Sequence, residues 1–344
     1  MPRPRLEGLV PRRLCVLAAV VREYVSSGRP VSSDAVLAKH GIKASPATIR
    51  NDFAVLQEMG LLTKPHHSAG RIPTAAGYRT FAERAMRPRL KPTDAALLRS
   101  RLRRPSAFTE AVAEGTRALA AVTRLAAMAA LPPARAARLE RVTIRPVSAT
   151  VALISYELSD GRRGEVLAKL AEPLTARQHV AWQEGLMDLG REGVEALAAA
   201  QPPAGISQSA WCTVVEEILD DTGGDVFVEG AAYLAAQPEM LHSEALANLL
   251  AMAQHRGRTY RLLASVGSRR SATLFDASDT AGWLPGCAVV VQSFSVGAGT
   301  GRVAVVGPMR MDYEATVGAA AEVANLLDEA WRASLGEQQT EGEH

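Results

Sequence analysis

The amino-acid sequence predicts an α+β, multidomain fold, and three observations carry that prediction. At 344 residues the chain exceeds the roughly 150 residues of one typical domain. Apolar residues make up 47% and charged residues 22%, near the globular averages, so a sizeable core can be buried. Helical periodicity runs through the first third, whereas the remainder mixes helical patterns with alternating or continuously apolar stretches.

The first helix is predicted from Arg12, because Leu14, Leu17, Ala18, Val21, Tyr24 and Val25 recur at helical spacing, and Gly28 stops it. After Pro30, Ser32 or Ser33 caps a short second helix carrying Val36 and Leu37, with Gly41 and Ile42 as its terminating glycine and apolar contact. Ser45 caps a third helix and Pro46 suits its first position, where the missing N–H is not needed. Ile49, Phe53, Leu56 and Met59 form its apolar stripe until Gly60. The connection between the second and third helices, residues 42–44, is as tight as a helix-turn-helix requires. Residues 61–65 and 71–73 then read as two short strands bracketing a small polar loop, a β-wing, and Thr74 caps a fourth helix with Tyr78, Phe81, Ala82 and Ala85 inward. A winged helix-turn-helix is therefore expected over residues 1–88, followed by a proline- and arginine-rich linker over 89–105.

Beyond it, residues 106–130 read as one long alanine-rich helix, and residues 142–145 and 150–157 as strands, with a turn at Ser159-Asp160-Gly161. Helices are expected at 175–199, 209–220 and 242–255, strands at 261–266, 288–296 and 301–306, and a closing helix over about 314–331. The stretch Gly297-Ala298-Gly299-Thr300-Gly301 is glycine-rich, but strand-like residues follow it and no Lys-Ser/Thr pair closes it, so it reads as a hairpin turn rather than a phosphate loop.

Charge divides unevenly between these parts. Residues 1–104 hold 20 Lys+Arg against 7 Asp+Glu, and residues 105–344 hold 19 against 29. A basic first part joined to a mildly acidic remainder points to a polyanion partner through counterion release from a phosphate backbone. Cys15, Cys212 and Cys287 form no CxxC pair and no framework spacing, so neither a zinc module nor a disulfide scaffold is indicated, and a cytoplasmic location fits. The alanine-rich stretch 118–130 is broken by Thr123 and Arg124, short of the roughly 18 apolar residues of a membrane span, and the first thirteen residues lack the apolar region of a secretory signal.

In a winged helix the start of the third helix enters the major groove while the wing reaches the backbone or minor groove. Here Ser45, Thr48, Arg50 and Asn51 lie opposite the apolar stripe; an arginine can pair with guanine O6/N7 and an asparagine with adenine N6/N7. The competing reading for Arg50 is an intramolecular ion pair with Asp52 or Asp34. On the wing, Lys64, His66, His67, Ser68 and Arg71 offer donors to phosphate oxygens or, for Arg71, to a narrow minor groove. The adjacent histidines have no Cys or carboxylate at ligand spacing, so no metal site is assigned. No GxSxG elbow, HExxH motif or activated cysteine is present, and neither an enzyme nor a cofactor is expected.

These residues resemble a known family, the bacterial heat-inducible transcription repressors HrcA. The resemblance rests on Ser45-Pro46-Ala47-Thr48-Ile49-Arg50-Asn51-Asp52, on His67-Ser68-Ala69-Gly70-Arg71-Ile72-Pro73-Thr74 followed by Gly77-Tyr78-Arg79, on Phe227-Val228-Glu229-Gly230-Ala231-Ala232, and on Gly307-Pro308-Met309-Arg310-Met311-Asp312-Tyr313. Pro46 and His66 depart from the family pattern, which has Ser and Thr there. The resemblance implies a homodimer that binds a double-stranded inverted-repeat operator ahead of chaperone operons. It implies a GAF-like domain over 106–334, interrupted by a mainly helical dimerising insert at roughly 170–235, with a disordered tail at 335–344. It also implies dependence on the chaperonin GroEL. The alternative function is a regulator that senses a small effector in the GAF-like domain.

Overall fold

The computed structural model describes residues 9–66, 69–103, 107–132, 138–159, 161–169, 173, 175–202, 208–222, 224–240, 243–280, 282–297 and 299–341. It is a mixed α/β structure. The N-terminal unit holds α1 (Pro11–Ser27), α2 (Ser33–His40), α3 (Pro46–Glu58), β1 (Leu62–Thr63), β2 (Ile72–Pro73) and α4 (Ala75–Arg84). Its boundaries follow local chemistry. The side chains of Ser32, Ser45 and Thr74 each accept a backbone N–H three residues on, and Gly28 and Gly41 end α1 and α2 in the left-handed conformation.

The wing is small and tightly anchored. β1 and β2 pair antiparallel, Leu62 with Pro73 and Thr63 with Ile72. A third segment joins them, since the backbones of Val31 and Arg71 exchange two hydrogen bonds of 2.8 Å. Gly70 permits this approach, because a Cβ there would stand 2.3 Å from the Val31 carbonyl oxygen. Gly77 does the same for the start of α4, where a Cβ would stand 2.1 Å from the Leu61 carbonyl oxygen.

The remainder is built on a five-stranded antiparallel sheet. Its members are β3 (Ala126–Ala130), β7 (Val226–Glu229), β8 (Ser271–Phe275), β9 (Cys287–Val296) and β10 (Gly299–Pro308), in the order β7-β3-β10-β9-β8. β9 and β10 form the expected hairpin around Gly297, which is left-handed at φ 59°. Both faces of this sheet are buried. Ala126, Met128, Val289, Val291, Ala304 and Val306 join one apolar core, and Ala127, Ala129, Ala288, Val290, Val303 and Val305 join another. The second core is continuous with the interior of the N-terminal unit and takes in α6 (Phe108–Thr123) and the long α14 (Tyr313–Glu341).

Between β3 and β7 the chain leaves the sheet. This excursion carries an antiparallel meander of β4 (Leu139–Ser148), β5 (Val151–Leu158) and β6 (Arg163–Lys169), then α7 (Ala176–Glu192), α8 (Val194–Ala199) and α9 (Gln208–Thr222). It starts well before residue 170 and is as much sheet as helix. After β7 come α10 (Ala231–Ala235), a 3-10 turn, α11 (Glu244–Gln254), α12 (Arg256–Ala264) and α13 (Asp276–Asp279).

Several expectations are corrected. The long helix at 106–130 is α6 followed by β3, because Arg124 takes a left-handed conformation (φ 56°) and the alanines after it fill a strand buried on both sides. The strand expected at 261–266 is the end of α12, whose Leu262-Leu263-Ala264 run buries its side chains as a helix does. The linker at 89–105 contains α5 (Pro92–Arg101): Pro92 stands in its first turn, Asp94 favours that end, Arg99 and Arg101 the other, and Leu98 is buried. Gly193, at φ 121°, divides the helix expected at 175–199. The tail at 335–344 is helical as far as Glu341, and its last three residues lie outside the described ones.

Candidate nucleic-acid interface

The sequence of α3 sorts its side chains between interior and solvent. Ile49 and Leu56 are fully buried and Phe53 nearly so, which presses one side of the helix onto α1 and α2. Arg50 and Asn51 are exposed on the other side, with Ser45 exposed at the N-cap and Thr48 half-buried beside it. Ser45 Oγ accepts the Thr48 N–H at 3.1 Å and lies 2.9 Å from Thr48 Oγ1, so the start of the helix is held by its own side chains. Each hydroxyl keeps capacity for a further hydrogen bond.

The ion pair considered for Arg50 is absent. Asp52 is instead wholly buried and engaged by α1: Arg12 Nε donates to Oδ2 at 2.9 Å, Arg12 Nη2 to Oδ1 at 3.1 Å, and Arg13 Nε to Oδ1 at 3.3 Å. The Arg12 hydrogen bond, reinforced by both positive charges, holds the Asp52 carboxyl below the usual carboxylate range against the opposing effect of burial. Arg50 has no carboxylate partner among the described residues. Its guanidinium and the Asn51 amide stand in water with their donors available.

On the wing the candidates separate. His66 is exposed and Lys64 half-buried. His67 and Ser68 lie outside the described residues. Arg71 is half-buried, with its guanidinium 5.9 Å from the Phe53 ring centroid and its Nε enclosed without a hydrogen-bond partner. Its guanidinium therefore rests against the middle of α3 while part of the side chain stays exposed. Sequence reasoning missed Arg12 and Arg13, which reach α3 from 40 and 39 residues away; the available signal was Asp52, an acid beside the residues expected to meet an anion.

The opposite side of the N-terminal unit is closed against the rest of the chain. Tyr78 and Phe81 of α4 meet the buried Tyr313 ring at centroid distances of 5.6 and 6.4 Å, and Phe275 meets it from β8 at 5.8 Å. Arg22 of α1 grips Glu314 through two hydrogen bonds, 3.1 and 2.8 Å, and Arg79 of α4 pairs with Asp279 at 2.6 Å. Among the described residues no helix is long and apolar enough to cross a membrane. The arrangement offers a hydrophilic helix face, fixed on a folded body, with hydrogen-bonding groups suited to base edges.

Known proteins resemble the chain over most of its length. The family model of the HrcA protein C terminal domain matches residues 109–317. The heat-inducible transcription repressor HrcA of Kineococcus radiotolerans is 32% identical over 336 residues, covering 92% of this chain and 97% of that protein. The protein of the same name from Thermobifida fusca is 30% identical over 331 residues, covering 92% and 95%. A solved structure described as a hypothetical protein superposes with a TM-score of 0.54 at 24% identity, covering 95% of this chain and 99% of that one, and speaks to the fold alone.

Proposed function

The chain belongs to the HrcA family, and from that premise we propose that it is a sequence-specific, DNA-binding transcriptional repressor of heat-shock (chaperone) operons. Residues 9–85 act as a winged helix-turn-helix. α3 enters the major groove, with Arg50 and Asn51 reading base edges and Ser45 and Thr48 assisting at its start. The wing, through Lys64, His66 and the adjoining His67, Ser68 and Arg71, positions the protein on the phosphate backbone. The observation that carries this reading is the exposed, unpaired polar face of α3 set against a buried apolar stripe.

The body, a GAF-like sheet interrupted by the excursion between β3 and β7, serves as the assembly module. Two copies related by a two-fold axis present two α3 helices to successive major grooves, so the operator is an inverted repeat with half-site centres about 34–36 Å, or a multiple, apart. Repression follows from occupancy of the promoter. Heat and the chaperonin GroEL modulate the population of active repressor; a stability change of about 1–2 kcal/mol is enough to shift such a population several-fold.

Guanine N7 lies in the major groove, so methylation protection tests this directly. The purified protein on the DNA upstream of its host's chaperonin genes is expected to protect guanines in two symmetric half-sites separated by whole helical turns. Protection confined to the minor groove, or a single unrepeated site, contradicts the assignment.

A further inference from the structure

Two arginines serve one carboxylate at the edge of α3. Asp52 needs a cation, because a buried carboxylate without one is costly. A single arginine meets that need: Arg12 alone closes a two-pronged bond with both carboxylate oxygens. Arg13 Nε donates to the same carboxylate at 3.3 Å, so Asp52 does not depend on Arg12 alone. Arg12 lies at the surface, its side chain 48% exposed, while Asp52 is wholly covered. Of the five guanidinium N–H groups of Arg12, two are spent on Asp52 and the other three remain for an outside acceptor.

Placement then defines the acceptor. Asp52 lies one helical turn after Thr48, on the margin of α3 that borders the polar face. Arg12 reaches that margin from the N-terminal end of a different helix, α1, and its planar fork is held in place by the two bonds to Asp52. A guanidinium so fixed cannot extend into a groove beside Arg50 and Asn51. It borders the groove, where the strand backbone runs.

Resting on the DNA-binding reading above, we propose that Arg12 is a phosphate anchor for duplex DNA, gripping a phosphodiester oxygen on the strand that flanks the groove entered by α3. Asp52 is its positioning residue, fixing Nε and one Nη2 hydrogen while the outer N–H groups stay exposed. The guanidinium is ordered by folding rather than by binding, so contact with DNA immobilises no further side chain. Such a contact strengthens binding to every sequence and carries no base preference.

The test uses the full chain and measures Kd on an operator duplex and on an unrelated duplex across a salt series, for wild type, Arg12→Ala, Arg12→Gln and Arg50→Ala. Removing one phosphate contact per bound subunit is expected to make the slope of log K against log salt shallower by about one per subunit, with affinity at 0.1 M salt falling roughly five- to tenfold on both duplexes. Arg12→Gln keeps an N–H for Asp52 while losing the charge, so it gives the same slope change even where Arg12→Ala unfolds; thermal melts run alongside identify that case. Unchanged slope and affinity in Arg12→Gln overturn the proposal. If Arg50→Ala at the same time abolishes operator preference, the repressor reading stands and only the anchor falls; if wild type binds neither duplex, both fall.

Discussion

The two sides of the N-terminal unit enclose one continuous core and have opposite chemistry. On the α3 side, Arg50 and Asn51 are exposed, Arg50 has no carboxylate partner among the described residues, and Arg12 is held at the surface by the buried Asp52. On the α1 and α4 side, aromatic rings of both units interlock around Tyr313, and cations meet carboxylates: Arg22 with Glu314, Arg79 with Asp279, and Arg89 with Asp312 at 2.6 Å. Arg310 ties the units once more, donating to the Val25 carbonyl at 3.0 Å and to Glu239 at 2.6 Å. One side is matched to a partner inside the chain, and the other is left for a partner outside it. The closed side consequently fixes the direction in which the open side faces, and any dimer must respect that direction.

Removing Tyr313 is the strongest way to break this contrast. Its ring is 1% exposed and sits among Tyr78, Phe81 and Phe275. Tyr313→Ala is expected to cost roughly 3–5 kcal/mol, the range for deleting a large buried aromatic. Urea denaturation reads the loss, and a cost below about 1 kcal/mol would show that the closed side is not held by the aromatic cluster. Limited proteolysis near residues 86–91 should accelerate in the same variant, as the N-terminal unit separates while keeping its own helices.

A smaller effect is expected at Glu314, which accepts two bonds from Arg22 and the Arg87 N–H at 3.1 Å. Burial pushes its carboxyl up, but the hydrogen bonds from Arg22 and Arg87 and the charges of Arg22 and Arg89 outweigh burial, leaving it below the ordinary glutamate value. A carboxyl lowered by folding stabilises the folded state above its unfolded pKa, near 4.3, and that contribution is lost as pH falls through the lowered value. Glu314→Gln is accordingly expected to cost about 1–2 kcal/mol at neutral pH. Stability curves of wild type and variant should converge on the acid side of about pH 4. Curves that stay parallel into acid would assign the clamp to the rings alone.

The N-terminal unit was legible because its boundaries are written in neighbouring residues. Ser32, Ser45 and Thr74 cap within three residues, Gly28 and Gly41 stop helices where they stand, and the apolar spacing of α3 places Arg50 and Asn51 outward. The body obeys rules that act at a distance. β3 is alanine-rich and reads as helix from propensity; it is a strand because β7 and β10 lie on either side of it and both of its faces are covered. α12 reads as strand because a short apolar run does not distinguish the two. Pro92 looked like a linker residue and is the opening of a helix. At the site, Arg12 and Arg13 were invisible because a contact across some 40 residues leaves no periodic trace. The seating of Arg71 on Phe53 depends likewise on how the wing folds back on α3.

The central claim is that the open face of α3 reads base pairs. Its most direct test is the binding preference of Arg50→Ala, measured as the affinity ratio between the operator and single-base variants at each half-site position. Discrimination at one or two positions is expected to collapse by about 1–3 kcal/mol while affinity for unrelated DNA holds. A variant that keeps the wild-type preference at every position, or that weakens all sequences equally, would contradict it.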